Sequence, residues 1–275
     1  MAYPGGKSGS GVYQSIINLM PPHQRYFEPF LGGGAIMRRK RPALHNMGMD
    51  LNAGAVREMR RWSTPFVASL KRELRDRARA GDVTAAGEYA GGGVFSAEIV
   101  GSGVATRSAV PEYHFSVQDA FEFFGSFLRA KAFTADDLVY CDPPYVHESR
   151  GRADLYEHEL SDRDHVRLLR ILQRLPCMVM ISGYRSALYA RELRNWNART
   201  FRAVNRAGES VTEQIWFNFR EPVVLHDFRF LGADFRERER IKRKTRRWVS
   251  RLQAMPLLER RGLMAAMREA WSTGS

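Results

Sequence analysis

The residues Asp142, Pro143, Pro144 and Tyr145 form a turn whose chemistry suits the binding of an amine. An apolar run at 138–141 precedes them, and two prolines cannot continue a central strand, so the chain must leave the sheet here. The carboxylate of Asp142 and the carbonyl of Pro143 can accept the two N–H bonds of a flat heteroaromatic amine, while Tyr145 offers a ring for stacking. An ordinary proline turn, in which Asp142 caps a neighbouring segment, is the alternative.

Such a turn is suited to transfer of a methyl group onto that amine. The lone pair of an exocyclic amine is delocalised into its ring, which makes the nitrogen a poor nucleophile. Acceptors on both N–H bonds favour a pyramidal nitrogen that can attack, and consecutive prolines hold the acceptors in place. This chemistry requires no metal, and the nearby His147, His158 and His165 do not have a recognised metal-ligand spacing.

A glycine-rich turn is the second candidate site. Gly32, Gly33 and Gly34 follow a predicted strand and are expected to open a helix, where a backbone without Cβ atoms can approach a ligand closely. Asp50 ends the next predicted strand, about 20 residues on, where a carboxylate can accept both ribose hydroxyls of a nucleoside. The pattern also fits a dinucleotide-binding fold, although Met37 stands at the last glycine position of that fingerprint.

Three motifs follow one another along the chain. They are Tyr3-Pro4-Gly5-Gly6-Lys7, Phe27-Glu28-Pro29-Phe30-Leu31-Gly32-Gly33-Gly34-Ala35 and Asp142-Pro143-Pro144-Tyr145. Together they resemble the S-adenosylmethionine-dependent DNA N6-adenine methyltransferases of the Dam-like group, class alpha. Two later blocks, at 181–184 and 212–218, resemble the phage and prophage branch of that family, so the resemblance spans residues 3–219.

The resemblance implies a role for each matching residue. The catalytic residues would be Asp142, Pro143, Pro144 and Tyr145. The residues that bind S-adenosylmethionine would be Tyr3, Lys7, Glu28, Pro29, Phe30, Gly32, Gly34, Asp50, Asp119 and Asp142. Among these, Tyr3 and Lys7 would close the cofactor pocket, and Asp119 would hold the adenine amine of the cofactor. Asp119 is also placed to cap the helix that begins beside it.

These roles imply an adenine-specific DNA methyltransferase that extrudes its target base and transfers the methyl group directly, without a metal. The same turn can serve cytosine N4, adenine in RNA or the amide of a glutamine side chain. A catalytically silent DNA-binding protein on the same scaffold is a further alternative. Aspartate at the first position of the turn and the order of the motifs favour adenine in DNA.

The composition is typical of a protein that binds a polyanion. The 275 residues carry a formal charge of +13, which indicates DNA before a membrane because no long apolar run accompanies the charge. A basic protein without such a partner is the alternative. The two cysteines, Cys141 and Cys177, fall in predicted buried strands, and no apolar signal segment opens the sequence. Both features predict the cytoplasm of a bacterial or phage-infected cell; the oligomeric state, monomer or weak dimer, stays open.

Alternating segments predict an α/β fold. Apolar β-rich segments lie near 25–28, 45–49, 113–116, 138–141 and 177–181, and helix-period stretches lie near 11–20, 35–40, 53–61, 118–131 and 162–174. This alternation indicates βαβ units and a mostly parallel sheet. Segments 199–204 and 214–219 predict a closing hairpin. The resemblance implies a Rossmann-like methyltransferase fold with seven strands, the last of them antiparallel.

The predicted domains are a catalytic domain over 1–231 and a basic helical extension over 232–275, broken near Pro256. An insert is expected at about 62–111, where the resemblance implies a target-recognition segment and where a glycine-rich surface loop fits equally well. In the extension, the candidate DNA-binding residues are Arg243, Lys244, Arg246 and Arg247. Arg150 and Arg152, shortly after the catalytic turn, are expected to contact phosphates beside the extruded base. A merely solvated basic helix is the alternative for the extension.

Overall fold

The computed structural model describes residues 7–9, 11–79, 110–145, 159–204 and 208–272. The chain divides into two compact units, Met1–Phe228 and Arg229–Ser275. The glycine-rich part of the predicted insert, 81–111, lies almost entirely outside the described residues.

Seven strands of the first unit form a single sheet. They are β1 (Arg25–Glu28), β2 (His45–Asp50), β3 (Glu112–Val117), β4 (Asp137–Cys141), β5 (Met178–Gly183), β6 (Asn197–Val204) and β7 (Ser210–Phe217), in the order β3-β2-β1-β4-β5-β7-β6. Strands β1 to β5 pair in parallel, and β7 pairs antiparallel with both β5 and β6. The predicted fold class is therefore confirmed: the sheet is mostly parallel, Rossmann-like, and closed by an antiparallel last strand.

Five helices of the first unit have described boundaries. They are α1 (Val12–Ile17), α2 (Ala53–Arg79), α3 (Ala120–Arg129), α4 (Asp162–Leu172) and α5 (Ala187–Glu192). Side-chain caps fix the starts of three of them, at Asp119 for α3, Ser161 for α4 and Ser186 for α5. Each cap satisfies backbone N–H groups that have no partner within the helix. The caps therefore explain why these helices begin where they do.

Two predicted helices differ from those observed. The stretch 35–40 forms successive turns, with N–H bonds from Arg38 to Gly34 and from Lys40 to Ile36, both 2.9 Å. The N–H of Arg39 instead bonds to the carbonyl of Ile36, at 3.0 Å, so the i→i−4 bonds are not consecutive and the glycine turn does not open a helix. Conversely, α2 continues past residue 61 to Arg79, although Pro65 lies inside it.

Aromatic packing explains the length of α2. The rings of Trp62 and Phe66 stack with centroids 4.9 Å apart, and both meet Tyr113 of β3 edge-on. Leu70 and Leu74, further along the helix, are buried. The apolar area that this face buries offsets the missing hydrogen bond at the proline, a cost of about 3 kcal/mol or more.

The strands that lead to the two sequence motifs are fixed side by side. Phe27 of β1 lies in a cluster with Phe123, Phe127 and Phe133, while all five residues of β4 are buried. At the amino end of both strands, Arg25 donates two hydrogen bonds to the Asp137 carboxylate, at 2.7 and 2.6 Å. This forked ion pair sets the register of β1 against β4.

The second unit consists of a 3-10 turn at Phe228–Phe230, which begins at the division, and two helices, α6 (Phe235–Ala254) and α7 (Leu257–Ser272). Asp234 caps α6 by accepting the N–H of Glu237 at 2.8 Å. The break between the helices falls next to Pro256, as predicted. Helix α6 has no buried residue, and Trp248 on it is 51% exposed.

A buried histidine pair joins the end of the first unit to the loop before β1. The rings of His23 and His226 stack with centroids 3.7 Å apart, and Lys40 Nζ lies 3.2 Å from His23 Nε2. Burial, with Lys40 nearby, lowers the pKa of His226 to about 3. Burial and the neighbouring His226 also lower the pKa of His23. The folded protein therefore keeps both rings neutral.

These shifts predict a loss of stability in acid. Because the folded protein resists protonation of His226 while the unfolded chain accepts it, this stability is present above about pH 6.5 and is lost as the pH falls towards 3. The loss should approach about 1.4 kcal/mol per pH unit for each histidine. The His226→Gln variant should show a shallower decline in unfolding free energy than wild type in urea titrations between pH 7 and pH 4.5. His114→Gln is the exposed control; parallel curves for His226→Gln and wild type would contradict the assignment.

Candidate active site

The candidate catalytic turn lies where the carboxyl ends of the parallel strands meet. Residues Asp142 to Tyr145 directly follow β4, Glu28 ends the neighbouring β1, and Gly183 ends β5 on the other side. Because β7 runs antiparallel, its early residues reach the same edge, and Gln214 pairs there with Gly183. In open α/β sheets this edge is where ligands bind.

The carboxylate of Asp142 is held through one of its oxygens. Lys7 Nζ lies 2.7 Å from Oδ1, and the hydroxyl of Ser182 donates to the same oxygen at 2.8 Å. The hydroxyl of Tyr140 hydrogen-bonds to Ser182 at 2.9 Å. Within the described part of the chain, Oδ2 has no hydrogen bond or ion pair, and the side chain is 19% exposed. Oδ2 can therefore still accept a bond from a ligand.

Tyr145 is anchored at its hydroxyl. The hydroxyl donates to Glu213 Oε2 at 2.9 Å and accepts a hydrogen bond from Lys7 Nζ. Its ring meets the ring of Tyr184 edge-on, with centroids 4.6 Å apart. The residue is buried, and that burial raises the pKa of its hydroxyl well above the usual range. Tyr145 is therefore a neutral group in a fixed orientation.

Lys7 and Glu213 complete a buried group of charges. Lys7 is 3% exposed and lies 3.4 Å from Glu213 Oε2 as well as 2.7 Å from Asp142. Burial raises the pKa of Glu213, the neighbouring Asp142 raises it further, and Lys7 opposes the rise. The single ammonium group is therefore shared between two carboxylates, which come from the two sides of the crevice.

Glu28 is a third buried acid at this edge. Burial, with a smaller contribution from Asp142, raises its pKa to about 8, against the opposing effect of the hydrogen bond from Tyr26. That bond, from the Tyr26 hydroxyl to Glu28 Oε2, measures 3.0 Å. Glu28 is therefore mostly protonated at neutral pH, and Pro29 and Phe30 continue from it into the glycine turn.

Asp50 binds the glycine turn directly. Its Oδ2 accepts the N–H of Gly32 at 2.7 Å, and its Oδ1 accepts the N–H of Asn52 at 2.8 Å. Gly34 has a φ of +62°, and a Cβ there would collide with the side chain of Met59 on α2. The structure thus brings Asp50 and the glycines together, and the positive φ at position 34 favours glycine there.

Asp119 caps α3, which is the simpler of the two roles considered for it. Its Oδ1 accepts the N–H groups of Phe121 and Glu122, at 2.9 and 3.1 Å. A role in binding the cofactor stays a prediction.

The remaining predicted residues lie outside the described residues or in the second unit. Tyr3, Arg150 and Arg152 lie outside the described residues. The candidate DNA-binding residues Arg243, Lys244, Arg246 and Arg247 are exposed on α6, in the second unit. Among the described residues, no group of three His, Cys, Asp or Glu side chains is arranged to hold a metal. No described helix has the length and apolar character needed to cross a membrane.

Sequence reasoning overlooked Glu213 as a member of the site. The available signal was its position on β7, where it shares the inward face with Ile215 and Phe217, both buried. A carboxylate on an apolar strand face indicates a buried partner, but the sequence does not reveal that the partners are Lys7 and Tyr145.

An arginine-lined groove of about 800 Å³ lies away from the candidate site, on α4 and α5. Its arginines are Arg163, Arg167, Arg170, Arg174 and Arg191. The four on or just beyond α4 are spaced by four, three and four residues, which places them on one helix face. All five are exposed, so the groove belongs to the basic surface of the first unit.

The shifted acid predicts a pH-dependent effect of Glu28→Gln. Because the folded protein raises the pKa of Glu28 to about 8 from 4.5, its contribution to stability is fully present below about pH 4.5 and is lost as the pH rises to 8. Glutamine resembles the protonated acid and does not titrate. The unfolding free energy of the variant relative to wild type should therefore increase from pH 5 to pH 8, measured by urea titration. Glu122→Gln, at an exposed position, is the control; a difference independent of pH would contradict the assignment.

Part of the chain matches a known family. The model for "D12 class N6 adenine-specific DNA methyltransferase" matches residues 112–207. No curated protein sequence matches. Similar solved structures include precorrin 8w decarboxylase from Methanobacterium thermoautotrophicum, with 10% identity over 79% of this chain and 93% of that chain and a TM-score of 0.39. A SAM-dependent methyltransferase from Agrobacterium tumefaciens is also similar, with 11% identity over 74% of this chain and 58% of that chain and a TM-score of 0.36.

A third similar structure is magnesium protoporphyrin IX methyltransferase from Synechocystis with bound SAM, with 11% identity, 75% of this chain and 74% of that chain covered, and a TM-score of 0.35. The family match covers β3 to β6 and therefore includes the candidate catalytic turn. Residues 112–207 thus match the D12 class N6 adenine-specific DNA methyltransferases, which confirms the predicted resemblance to that family, while the phage and prophage branch stays a prediction.

Proposed function

We propose that this protein transfers a methyl group from S-adenosylmethionine to the N6 amine of adenine in DNA. The observation that carries the proposal is the orientation of Asp142. Its Oδ1 is held by Lys7 and Ser182, while Oδ2 accepts no bond from the described residues. An acceptor fixed in this way, in a turn with two prolines, suits an amine that must be held rigidly while it reacts.

The residues of the glycine turn fit the proposed cofactor. Asp50 binds the turn through both of its carboxylate oxygens and lies at the end of β2, where a carboxylate can accept the hydroxyls of a ribose. We assign Lys7, Glu28, Pro29, Phe30, Gly32, Gly34, Asp50, Asp119 and Asp142, with Tyr3, to the cofactor pocket. Bound S-adenosylmethionine supplies a methyl group on a positively charged sulfur.

The chain's own residues then act on the amine. The N6 amine donates its two N–H bonds to Asp142 Oδ2 and to the Pro143 carbonyl, which leaves its lone pair directed at the methyl carbon. As the new N–C bond forms, the C–S bond breaks and its electron pair stays on sulfur. The positive charge then appears on nitrogen beside the Asp142 carboxylate, which stabilises it until a proton is lost. Base flipping brings the adenine to this turn, and Tyr145 and Tyr184 form its aromatic wall.

DNA affinity is proposed to come in part from α6. Arg243, Lys244, Arg246 and Arg247 are exposed there and have no carboxylate partner among the described residues. Guanidinium and ammonium groups along one helix can neutralise phosphates and release counterions, independently of sequence. Arg150 and Arg152 are proposed to contact the phosphates beside the flipped base.

Replacing the catalytic carboxylate tests the chemistry. Asp142→Ala should lower methyl transfer to DNA by at least about 100-fold, because the amine loses its acceptor, while S-adenosylmethionine binding measured by calorimetry should weaken far less, because the other residues assigned to the cofactor pocket remain. Transfer is followed with tritiated methyl groups, and mass spectrometry of the digested DNA should identify N6-methyladenine. Asp136→Ala, at an exposed position, is the matched control. Full turnover by Asp142→Ala would reject the assignment. Detection of N4-methylcytosine as the product would show that the substrate is cytosine and not adenine.

A second test concerns the basic helix. Replacing Arg243, Lys244, Arg246 and Arg247 with alanine should weaken DNA binding and reduce its salt dependence. The slope of the logarithm of the binding constant against the logarithm of the salt concentration should become shallower by about 0.9 for each phosphate that is no longer neutralised. The measurement is a fluorescence-anisotropy titration at several salt concentrations. A control variant with Arg163, Arg167, Arg170 and Arg174 replaced by alanine removes the same charge from α4. Equal slope changes in both variants would show an effect of net charge and not of α6.

A further inference from the structure

We infer that Glu213 is a positioning residue for the candidate catalytic turn, and this inference rests on the proposed function. Glu213 is far from the turn in sequence and lies on β7, yet it contacts both groups that hold the turn in place. It touches neither Asp142 nor the position of the amine directly, so it would act through Tyr145 and Lys7.

The contacts with Tyr145 fix an aromatic ring. The hydroxyl of Tyr145 donates to Glu213 Oε2 at 2.9 Å, while the edge-to-face contact with Tyr184 limits the ring at its other side. A hydroxyl anchored to a charged acceptor holds the ring more firmly than one bonded to a neutral group. The plane against which a flipped base would rest is therefore set by Glu213.

The contact with Lys7 acts on Asp142. Lys7 Nζ lies 3.4 Å from Glu213 and 2.7 Å from Asp142, so the ammonium is held from two sides. With Glu213 in place, part of the Lys7 charge is compensated by the second carboxylate, and Asp142 keeps more of its negative charge for the amine. The same contact fixes the direction from which Lys7 reaches Oδ1, which leaves Oδ2 facing the substrate.

A purely structural role explains Glu213 poorly. Burying a carboxylate costs free energy, and an apolar residue at this position would continue the inward face formed by Ile215 and Phe217 without that cost. Glu213 is 6% exposed and sits where its only described partners belong to the candidate site. A role in positioning the turn therefore explains the buried carboxylate better than a contribution to stability does.

Three variants test the inference by steady-state kinetics. Glu213→Ala removes both contacts and should lower kcat by about 10- to 100-fold, the range expected for losing hydrogen bonds to a charged group. Glu213→Gln keeps an oxygen that can accept the Tyr145 hydroxyl but loses the charge that compensates Lys7, so its loss should be smaller. In both, KM for S-adenosylmethionine should change less than kcat, because Lys7 keeps its contact with Asp142 while the orientation of the turn is lost.

A double-variant cycle, with Tyr145→Phe as the third variant, separates positioning from general damage. Tyr145→Phe removes the hydroxyl that Glu213 holds, so Glu213→Ala should cost less in kcat in the Tyr145→Phe background than in wild type. Glu221→Gln, an exposed carboxylate paired with Arg199, should leave kcat unchanged. Thermal unfolding shows whether each variant is folded; if Glu213→Ala is not, Glu213→Gln is used in the cycle.

The outcomes distinguish this inference from the function on which it rests. A wild-type protein that transfers no methyl group to any nucleic acid overturns the proposed function and the inference together. An active wild type in which Glu213→Ala and Glu213→Gln keep full kcat overturns the inference alone. The inference is also overturned if Glu213→Ala lowers kcat by the same factor in the Tyr145→Phe background as in wild type. It is likewise overturned if the Glu213 variants act mainly on KM for S-adenosylmethionine.

Discussion

The candidate active site depends on one buried ammonium group. Lys7 lies between Asp142 and Glu213 and is almost fully excluded from solvent. A lysine in that environment would be costly without its two carboxylates, and each carboxylate would be costly without the lysine. The pairing therefore fixes three side chains at once, and through them the hydroxyl of Tyr145 and the Asp142 oxygen that has no partner among the described residues.

The sheet makes that pairing possible. Lys7, Asp142 and Glu213 come from the start, the middle and the later part of the first unit, and only the carboxyl edge of the sheet brings them together. The antiparallel direction of β7 is essential because it returns the chain to this edge. The forked ion pair of Arg25 and Asp137 at the opposite edge holds β1 and β4 in register.

Charge is distributed differently in the interior and on the surface. Inside, burial keeps His226 and most of Glu28 neutral, and the charges of Lys7, Asp142 and Glu213 are paired with one another. Outside, arginines and lysines dominate α6 and the exposed face of α4. A strongly basic surface of this kind is typical of proteins that bind a polyanion.

The sequence by itself determined the strands, their mostly parallel arrangement and the residues of the two motifs. It could do so because alternating apolar segments, prolines after β4 and glycines after β1 are local signals. The same local reasoning predicted a helix at 35–40, where the chain forms only turns, and ended α2 before Pro65, because it could not include the packing of Trp62 on Tyr113. Only the tertiary structure determined which side chains contact one another in the site. The carboxylate of Glu213 on an apolar strand face indicates a buried partner, but the sequence does not show which residue that partner is. Contacts between residues that are distant in sequence depend on strand order and direction, and only the folded sheet fixes both.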